Sequence, residues 1–395
     1  MIWISLGQTP YTARVPQTAG ALTVNVDKTK AVIYGAARAP VCSNPSLLYD
    51  GKSIEFVQSF KYLGIDMHCM HSFSDAGLPL KESAQRTLLA LLRRCRELGI
   101  NDPVLRVKLF DALVHPVMMY GVEFWGAGDV RKGELAGDLV HRSFLRGVLG
   151  VRRSTPNMTV LAEAGRYPLQ VFAAQMLLKY WNRLVRMEDD RLVKRAFLVS
   201  AALAGTTQGR SRHKSWAGQA AAVLESLGLP CDLAAPAVID AEKGVSSLQS
   251  AYLSSVTDSE SSKVQQYLRM RDGVAPETYC MAPYLRAVTG RRQRKALAQL
   301  RAGSHWLGVE SGRREGATLP RDLRVCQRCG SGEVDDEAHM VFRCAALSIQ
   351  RREYASLFSP WPADLRDFMS RDPTAVAAFA YASYKRDKEL KTSLL

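Results

Sequence analysis

Cys326, Cys329, His339 and Cys344 carry the sharpest chemical signal in the sequence, spaced Cys-x2-Cys-x9-His-x4-Cys. Two thiolates separated by two residues suit a knuckle that turns both sulfurs toward one ion. A His/Cys pair separated by four residues on a turn or short helix can then complete a tetrahedron. Three thiolates and one imidazole are soft ligands, so zinc is the natural metal, and magnesium and calcium are disfavoured. Four protein ligands leave no open position for water, so the expected role is structural, not catalytic. The alternative is a coincidental cysteine pair beside a surface histidine.

Other candidate chemistry is weaker. His68-Cys69-Met70-His71 offers soft ligands, but its spacing does not match a closed site. His115, His141, His213 and His305 sit singly in apolar or basic segments, where a packed or solvated ring is the ordinary outcome. Gly51-Lys52-Ser53 ends like a phosphate loop, but Ser46 stands at the leading glycine position and the segment reads as a hairpin. Gly128 and Gly133 are correctly spaced, with Glu134 where the lysine should be. No dinucleotide fingerprint follows a strand, and no nucleophile elbow occurs. The carboxylate pairs Asp189-Asp190 and Asp335-Asp336 fall in a polar helix end and in the cysteine loop. Two-metal phosphoryl chemistry wants such groups on rigid strands, so neither pair fits.

The elements that must hold these residues change along the chain. Leu22–Val26, Ala31–Tyr34, Leu47–Tyr49 and Ile54–Val57 are short β-branched or apolar runs, the last two flanking Asp50-Gly51, a hairpin turn signal. Beyond about residue 78 the period becomes helical: Leu88, Leu89, Leu91 and Leu92 interleave with Arg86, Arg93, Arg94 and Arg96. Apolar helices with basic faces continue over Val104–Tyr120, Glu134–Leu149 and Leu169–Met187, which predicts a helical bundle. Small residues dominate 201–262, read as a loosely packed helical connector. A second basic helix runs from Arg291 to Arg301, and Asp372-Pro373 marks a last helix start.

The chain has 395 residues, 47% of them hydrophobic, and a net charge of +15. That composition is neither disordered nor fibrous and is long enough for two or three domains. An excess of cations favours a polyanionic partner, nucleic acid before an acidic membrane surface. Met1–Leu6 is too short for a signal h-region, and Ala375–Tyr384 falls short of a bilayer span. Cys42, Cys69, Cys95, Cys231 and Cys280 are scattered and make no secreted disulfide framework. An intracellular location, nuclear or cytoplasmic, and no membrane partner are therefore expected.

Taken in order, several segments resemble the C-terminal half of a non-LTR (LINE-type) retrotransposon reverse transcriptase. Asn25-x2-Lys28-Thr29-Lys30 is similar to the motif that follows the catalytic turn in the palm. Ser59-Phe60-Lys61-Tyr62-Leu63-Gly64 resembles the primer-grip hairpin. Leu109–Leu113, Pro116–Glu123 and Trp125-Gly126 resemble thumb helices. Glu163-Ala164-Gly165 with Pro168-Leu169, and Leu300–His305 leading to Gly312-Arg313, resemble the region beyond the thumb. The Cys/Cys/His/Cys cluster, with acidic Asp336-Glu337 before His339, stands where that family carries a zinc knuckle. The resemblance covers about residues 22–345.

The departures are equally specific. In that family the polymerase aspartates, including an aromatic-Ala-Asp-Asp turn, precede the Asn25 motif; no such turn occurs, and only residues 1–24 stand before Asn25. The expectation is that fingers, the first half of the palm and an N-terminal endonuclease are missing. Glu389-Leu390-Lys391 lacks the Pro-Asp partner of a restriction-like endonuclease.

The resemblance thus implies a mainly α chain with a small N-terminal β hairpin region: a palm-edge remnant with a primer-grip-like hairpin (1–75), a helical thumb-like domain (76–200), a helical connector (201–310), and a CCHC zinc-knuckle module with a C-terminal helix (311–395). The implied function is the nucleic-acid-binding portion of an RNA-directed DNA polymerase, inactive alone because no catalytic residue is present. The alternatives are a stand-alone zinc-containing RNA- or DNA-binding module, or a degenerate retroelement remnant. Lys28, Lys30, Lys61, Arg86, Arg93, Arg94, Arg291, Arg292 and Arg294 are the expected nucleic-acid contacts. Cys326, Cys329, His339 and Cys344 are the expected ligands of structural zinc, and magnesium belongs only to the complete parent enzyme. Expected partners are RNA and DNA as template, primer or target, with a separately encoded palm domain as a further one.

Overall fold

A computed structural model describes residues 12–14, 25–32, 46–49, 51–68, 76–206, 215–271, 275–313 and 319–393. The strands lie near the N-terminus, and the rest is mostly helical. A four-stranded sheet has the order β1-β3-β4-β2, formed by β1 (Thr12–Arg14), β2 (Lys30–Ala31), β3 (Ser46–Tyr49) and β4 (Lys52–Phe56). β3 and β4 are antiparallel, Leu47 opposite Ile54 and Tyr49 opposite Lys52; β1 runs parallel to β3, and β2 parallel to β4. A separate hairpin joins β5 (Ser59–Tyr62) to β6 (Ile65–His68), with Ser59 opposite His68 and Tyr62 opposite Ile65. The two-residue connection, Leu63-Gly64, has positive φ at both positions, as a twist-matched hairpin turn demands.

One of the strand runs is corrected. Val26 belongs to a 3-10 turn, Val26–Lys28, because Asn25 caps it: the Asn25 side chain accepts the Lys28 N–H. Leu22–Val24, Ile33-Tyr34 and Asp50 lie outside the described residues, as do Cys69, Met70 and His71 of the His/Cys/Met cluster.

The helices begin with α1 (Gly77–Glu97), which buries Leu80, Ala84, Leu88, Leu91 and Cys95 and turns its arginines outward. Asp102 caps α2 (Pro103–Leu113), accepting the Val104 and Leu105 N–H groups, with Pro103 at the first helical position. The helix expected over Val104–Tyr120 breaks at Val114, where a short helix His115–Met118 starts anew. Pro116 has no N–H to continue the ladder. Then follow α3 (Asp138–Leu149), α4 (Asn157–Ala164), α5 (Leu169–Arg186) and α6 (Leu192–Thr206). The chain continues through α7 (Trp216–Ser226), α8 (Ala241–Thr257), α9 (Ser262–Arg269), α10 (Arg291–Arg301) and α11 (Pro373–Ser393), with shorter turns between.

The region read as a loose connector is instead tightly packed around α7. Ala217, Ala220, Ala221, Val223 and Leu224 are fully buried, because alanine side chains let neighbouring helices approach closely. One apolar core runs from Ala76 through α1–α7 and α10 to Phe379 and Ala380 of α11, and α11 lies along α10. Among the described residues, no helix is long and apolar enough to cross a membrane.

Candidate metal centre and basic helix faces

Arg324 and Asp335 face one another across a short antiparallel ladder. The Asp335 N–H donates to the Arg324 carbonyl and the Cys326 N–H to the Glu333 carbonyl, both at 2.8 Å, with a bridge between Val325 and Val334. The turn between holds Cys329 and reverses through Gly330, whose φ of 64° is left-handed. Asp336 then accepts the His339 N–H at 2.9 Å and starts the π-helical turn His339–Arg343, which delivers His339 and closes with the Cys344 N–H on the His339 carbonyl. Two local devices, a hairpin knuckle and a capped turn, thus carry the four donors.

Those donors converge: Cys326, Cys329 and Cys344 Sγ and one His339 ring nitrogen lie within 4.8 Å of one another. Cys326 Sγ is 3.9 Å from Cys344 Sγ, and Cys329 Sγ is 3.4 Å from His339 Nε2. A tetrahedron with metal–sulfur bonds of ~2.3 Å and a metal–nitrogen bond of ~2.0 Å has edges of about 3.8 Å between sulfurs and about 3.5 Å between sulfur and nitrogen. The protein's spacing matches both edges. His339 Nδ1, the nitrogen facing away, has Glu333 Oε2 at 3.4 Å, a carboxylate placed to orient the ring. The set can hold one metal ion and is compatible with zinc.

Cys326 and Cys344 act on each other through their 3.9 Å contact. The hydrogen bond to Cys344, with burial, pushes Cys326 up to about 12. The same bond draws Cys344 down to about 7 against its own burial, aided by Arg328. His339 is held above the usual imidazole range: burial opposes this, and the Cys329 and Cys326 sulfurs outweigh it.

The predicted cations divide into two groups. Lys28 and Lys61 are exposed, one ending the Asn25-capped turn and the other on β5 opposite Asp66. Arg86, Arg93 and Arg94 project from the outer face of α1, and Arg291 and Arg292 from the first turn of α10. Arg93 and Arg94 both approach Glu97, at 4.0 and 2.8 Å, and Arg86 donates to Ser83 Oγ. Exposed pairs of this kind are weak. Lys30 is ion-paired with Glu55 at 2.5 Å.

Arg294 is a correction. It is 6% exposed and donates to the carbonyls of Val288, Thr289 and Asn101. Its place on the inner side of α10 makes it a tie between α10 and the loop before α2, not a phosphate contact.

Sequence reasoning missed the polar groups that join distant motifs. Glu163, fully buried, receives a two-pronged ion pair from Arg301 (2.7 and 3.2 Å) and the Tyr267 hydroxyl at 2.9 Å. Burial would raise the Glu163 carboxyl, but Arg301 holds it below the ordinary range. Arg166 grips Asp111 through both guanidinium nitrogens, and His305 Nε2 lies 2.9 Å from Glu337 Oε1. The Leu307 N–H donates to His305 Nδ1, so Nε2 carries the proton. A Cβ on Gly165, beside Glu163, would meet the Cys280–Met281 backbone at 2.1 Å, so only glycine fits that approach. Each pairing spans tens of residues, and periodicity carries no signal for it.

Comparison of the chain with protein-family models, with curated proteins and with solved structures gives no match.

Proposed function

We propose that this chain is a nucleic-acid-binding module of the kind found in the C-terminal half of a non-LTR reverse transcriptase, built around a structural zinc knuckle and inactive alone as a polymerase. The observation that carries the reading is the closed Cys326/Cys329/His339/Cys344 donor set, with all ligand atoms within 4.8 Å, at the position the resemblance assigns to the knuckle. Cys326, Cys329 and Cys344 would bind zinc as thiolates and His339 through Nε2, and the bound ion would stabilise the fold of this segment.

Two further observations support it. The segments that carry the resemblance meet one another: Asp111 pairs with Arg166, next to the Glu163 motif, and Glu163 pairs with Arg301 of the Leu300–His305 motif. The cations Lys28, Lys61, Arg86, Arg93, Arg94, Arg291 and Arg292 stand at the surface of a chain with a net charge of +15. RNA or DNA is the partner class, and a palm domain on a separate chain would supply the carboxylates that hold magnesium.

The test is the salt dependence of binding to single-stranded RNA and duplex DNA. Each neutralised phosphate contributes about −0.7 to the slope of log K against log salt for a single strand. Arg93→Ala with Arg94→Ala should flatten that slope by about 1.4 if both arginines touch phosphate. A binding constant indifferent to salt overturns the proposal.

A further inference from the structure

Between the two knuckle cysteines stands Arg328, an exposed-type residue buried to 2% of its side chain. Its guanidinium pairs with Asp335 on the second strand of the knuckle and with Asp387 Oδ1 of α11 at 2.7 Å. Asp387 is itself 3% exposed. On α11 the buried positions run Val376, Ala377, Phe379, Ala380, Ser383 and Asp387. The carboxylate therefore occupies the end of the stripe that helical period reserves for apolar contact. A buried carboxylate without a counter-charge is strongly unfavourable; here the half-exposed Lys391 reaches Asp387 Oδ2 at 2.9 Å from the solvent side, and Arg328 is the buried partner on Oδ1.

Arg328 is in turn held from the metal side. Its place in the chain, between Cys326 and Cys329, fixes its backbone on the knuckle, and its Nε is buried and finds no acceptor. Asp335 also accepts the Gly308 N–H at 2.7 Å, which ties the knuckle to the turn after α10. One arginine, carried by the turn between the two knuckle cysteines, thus joins the knuckle strand to the last helix.

We propose that Arg328 and Asp387 are positioning residues that make metal binding by the four-donor cluster and docking of α11 against α10 a single coupled event. The proposal rests on the zinc reading above. Three thiolates, one imidazole and a divalent cation leave a net negative charge, which an arginine beside the sulfurs offsets. When the cluster binds its metal, the knuckle fixes Arg328 where Asp387 needs it; when α11 docks, Asp387 fixes Arg328 where the sulfurs need it. Coupling of this kind is reciprocal, so loss of either partner weakens the other by the same factor.

Two measurements on the full chain test it. In the first, zinc is stripped with a chelator, confirmed by metal analysis, and amide exchange is followed in α11 and α1. Exchange in α11 should accelerate at least tenfold while α1 is unchanged, and zinc alone should restore it. In the second, Asp387→Asn should bind zinc about tenfold more weakly in chelator competition, the scale seen for groups behind metal ligands, and Asp387→Glu should recover part of the loss. Unchanged α11 exchange after verified zinc removal, or unaltered zinc affinity in Asp387→Asn, overturns the coupling alone. A wild-type chain that takes up no zinc overturns the zinc reading and the coupling with it.

Discussion

Two buried polar constellations occupy this molecule, and they are satisfied in opposite ways. Around Glu163 every charge has a protein partner: Arg301 and Tyr267 on the carboxylate, and Arg271 on the Tyr267 hydroxyl and the Ala162 carbonyl. Around Cys326 the donors face one another instead. Two thiols share a 3.9 Å contact, a thiol and an imidazole a 3.4 Å contact, and an arginine Nε has no acceptor. Burial of polar atoms is equally expensive in both places. A network that closes on itself is a structural tie, whereas one whose lone pairs all point at a common centre calls for an outside atom.

The largest expected effect lies at the open constellation. Cys326→Ser removes one of four ligands, and purified protein should fall from one bound zinc to well under that by metal analysis. Structural zinc sites supply on the order of 10 kcal/mol, so the knuckle, residues 319–347, should lose protection as well. Zinc retained at full stoichiometry would refute the assigned ligands. The closed constellation should respond next. Glu163→Ala leaves Arg301 buried without a counter-charge, a loss of about 3–5 kcal/mol, read as a shift in the chemical denaturation midpoint with zinc content unchanged. A loss below 1 kcal/mol there would show that the network is slack.

The contrast also explains what the sequence could reveal. The Cys326/Cys329/His339/Cys344 spacing was legible because both halves of the cluster are local: a knuckle hairpin and a single turn set most of the geometry. α1 and α10 were legible because their apolar stripes repeat at helical period, and the β3–β4 hairpin because short apolar runs flank a turn signal. Arg294 was misread because it looks like its exposed neighbours Arg291 and Arg292 until helical phase turns it inward. Glu163–Arg301 and Arg328–Asp387 are separated by long stretches of chain, and only packing brings them together. The alanine-rich α7 reads as loose linker in the sequence because small residues signal either flexibility or close packing, and only a partner surface decides which.

His141 is the third kind of buried polar group, one with no partner at all. It is 1% exposed, stacks on Phe110 at 5.7 Å, and neither ring nitrogen finds an acceptor or donor. Burial, with the nearby Arg166, lowers it to about 3. The unfolded chain therefore takes up a proton near pH 6.5 that the native state refuses. Stability is full above that pH and should fall by about 1.4 kcal/mol per unit as pH drops from ~6.5 toward 3. His141→Phe should flatten this part of the profile in thermal melts between pH 7 and 5. An unchanged slope would assign the acid sensitivity to other groups.

The smallest effect is expected at Asp111–Arg166, the ion pair that joins α2 to the turn after α4. It has the same two-pronged form as Glu163–Arg301, but its side chains are 37% and 28% exposed, against 0% and 9% for the buried pair. Water screens the partly exposed charges and replaces a lost partner, so Asp111→Asn should shift stability by no more than about 1 kcal/mol. Combined with Arg166→Gln in a double-mutant cycle, the coupling energy should also stay below about 1 kcal/mol, whereas the Glu163–Arg301 cycle should exceed 2 kcal/mol. Equal coupling in the two cycles would mean that geometry, and not burial, sets the strength of these ties. The distinction between the closed and the open constellation would then have to rest on the donor set alone.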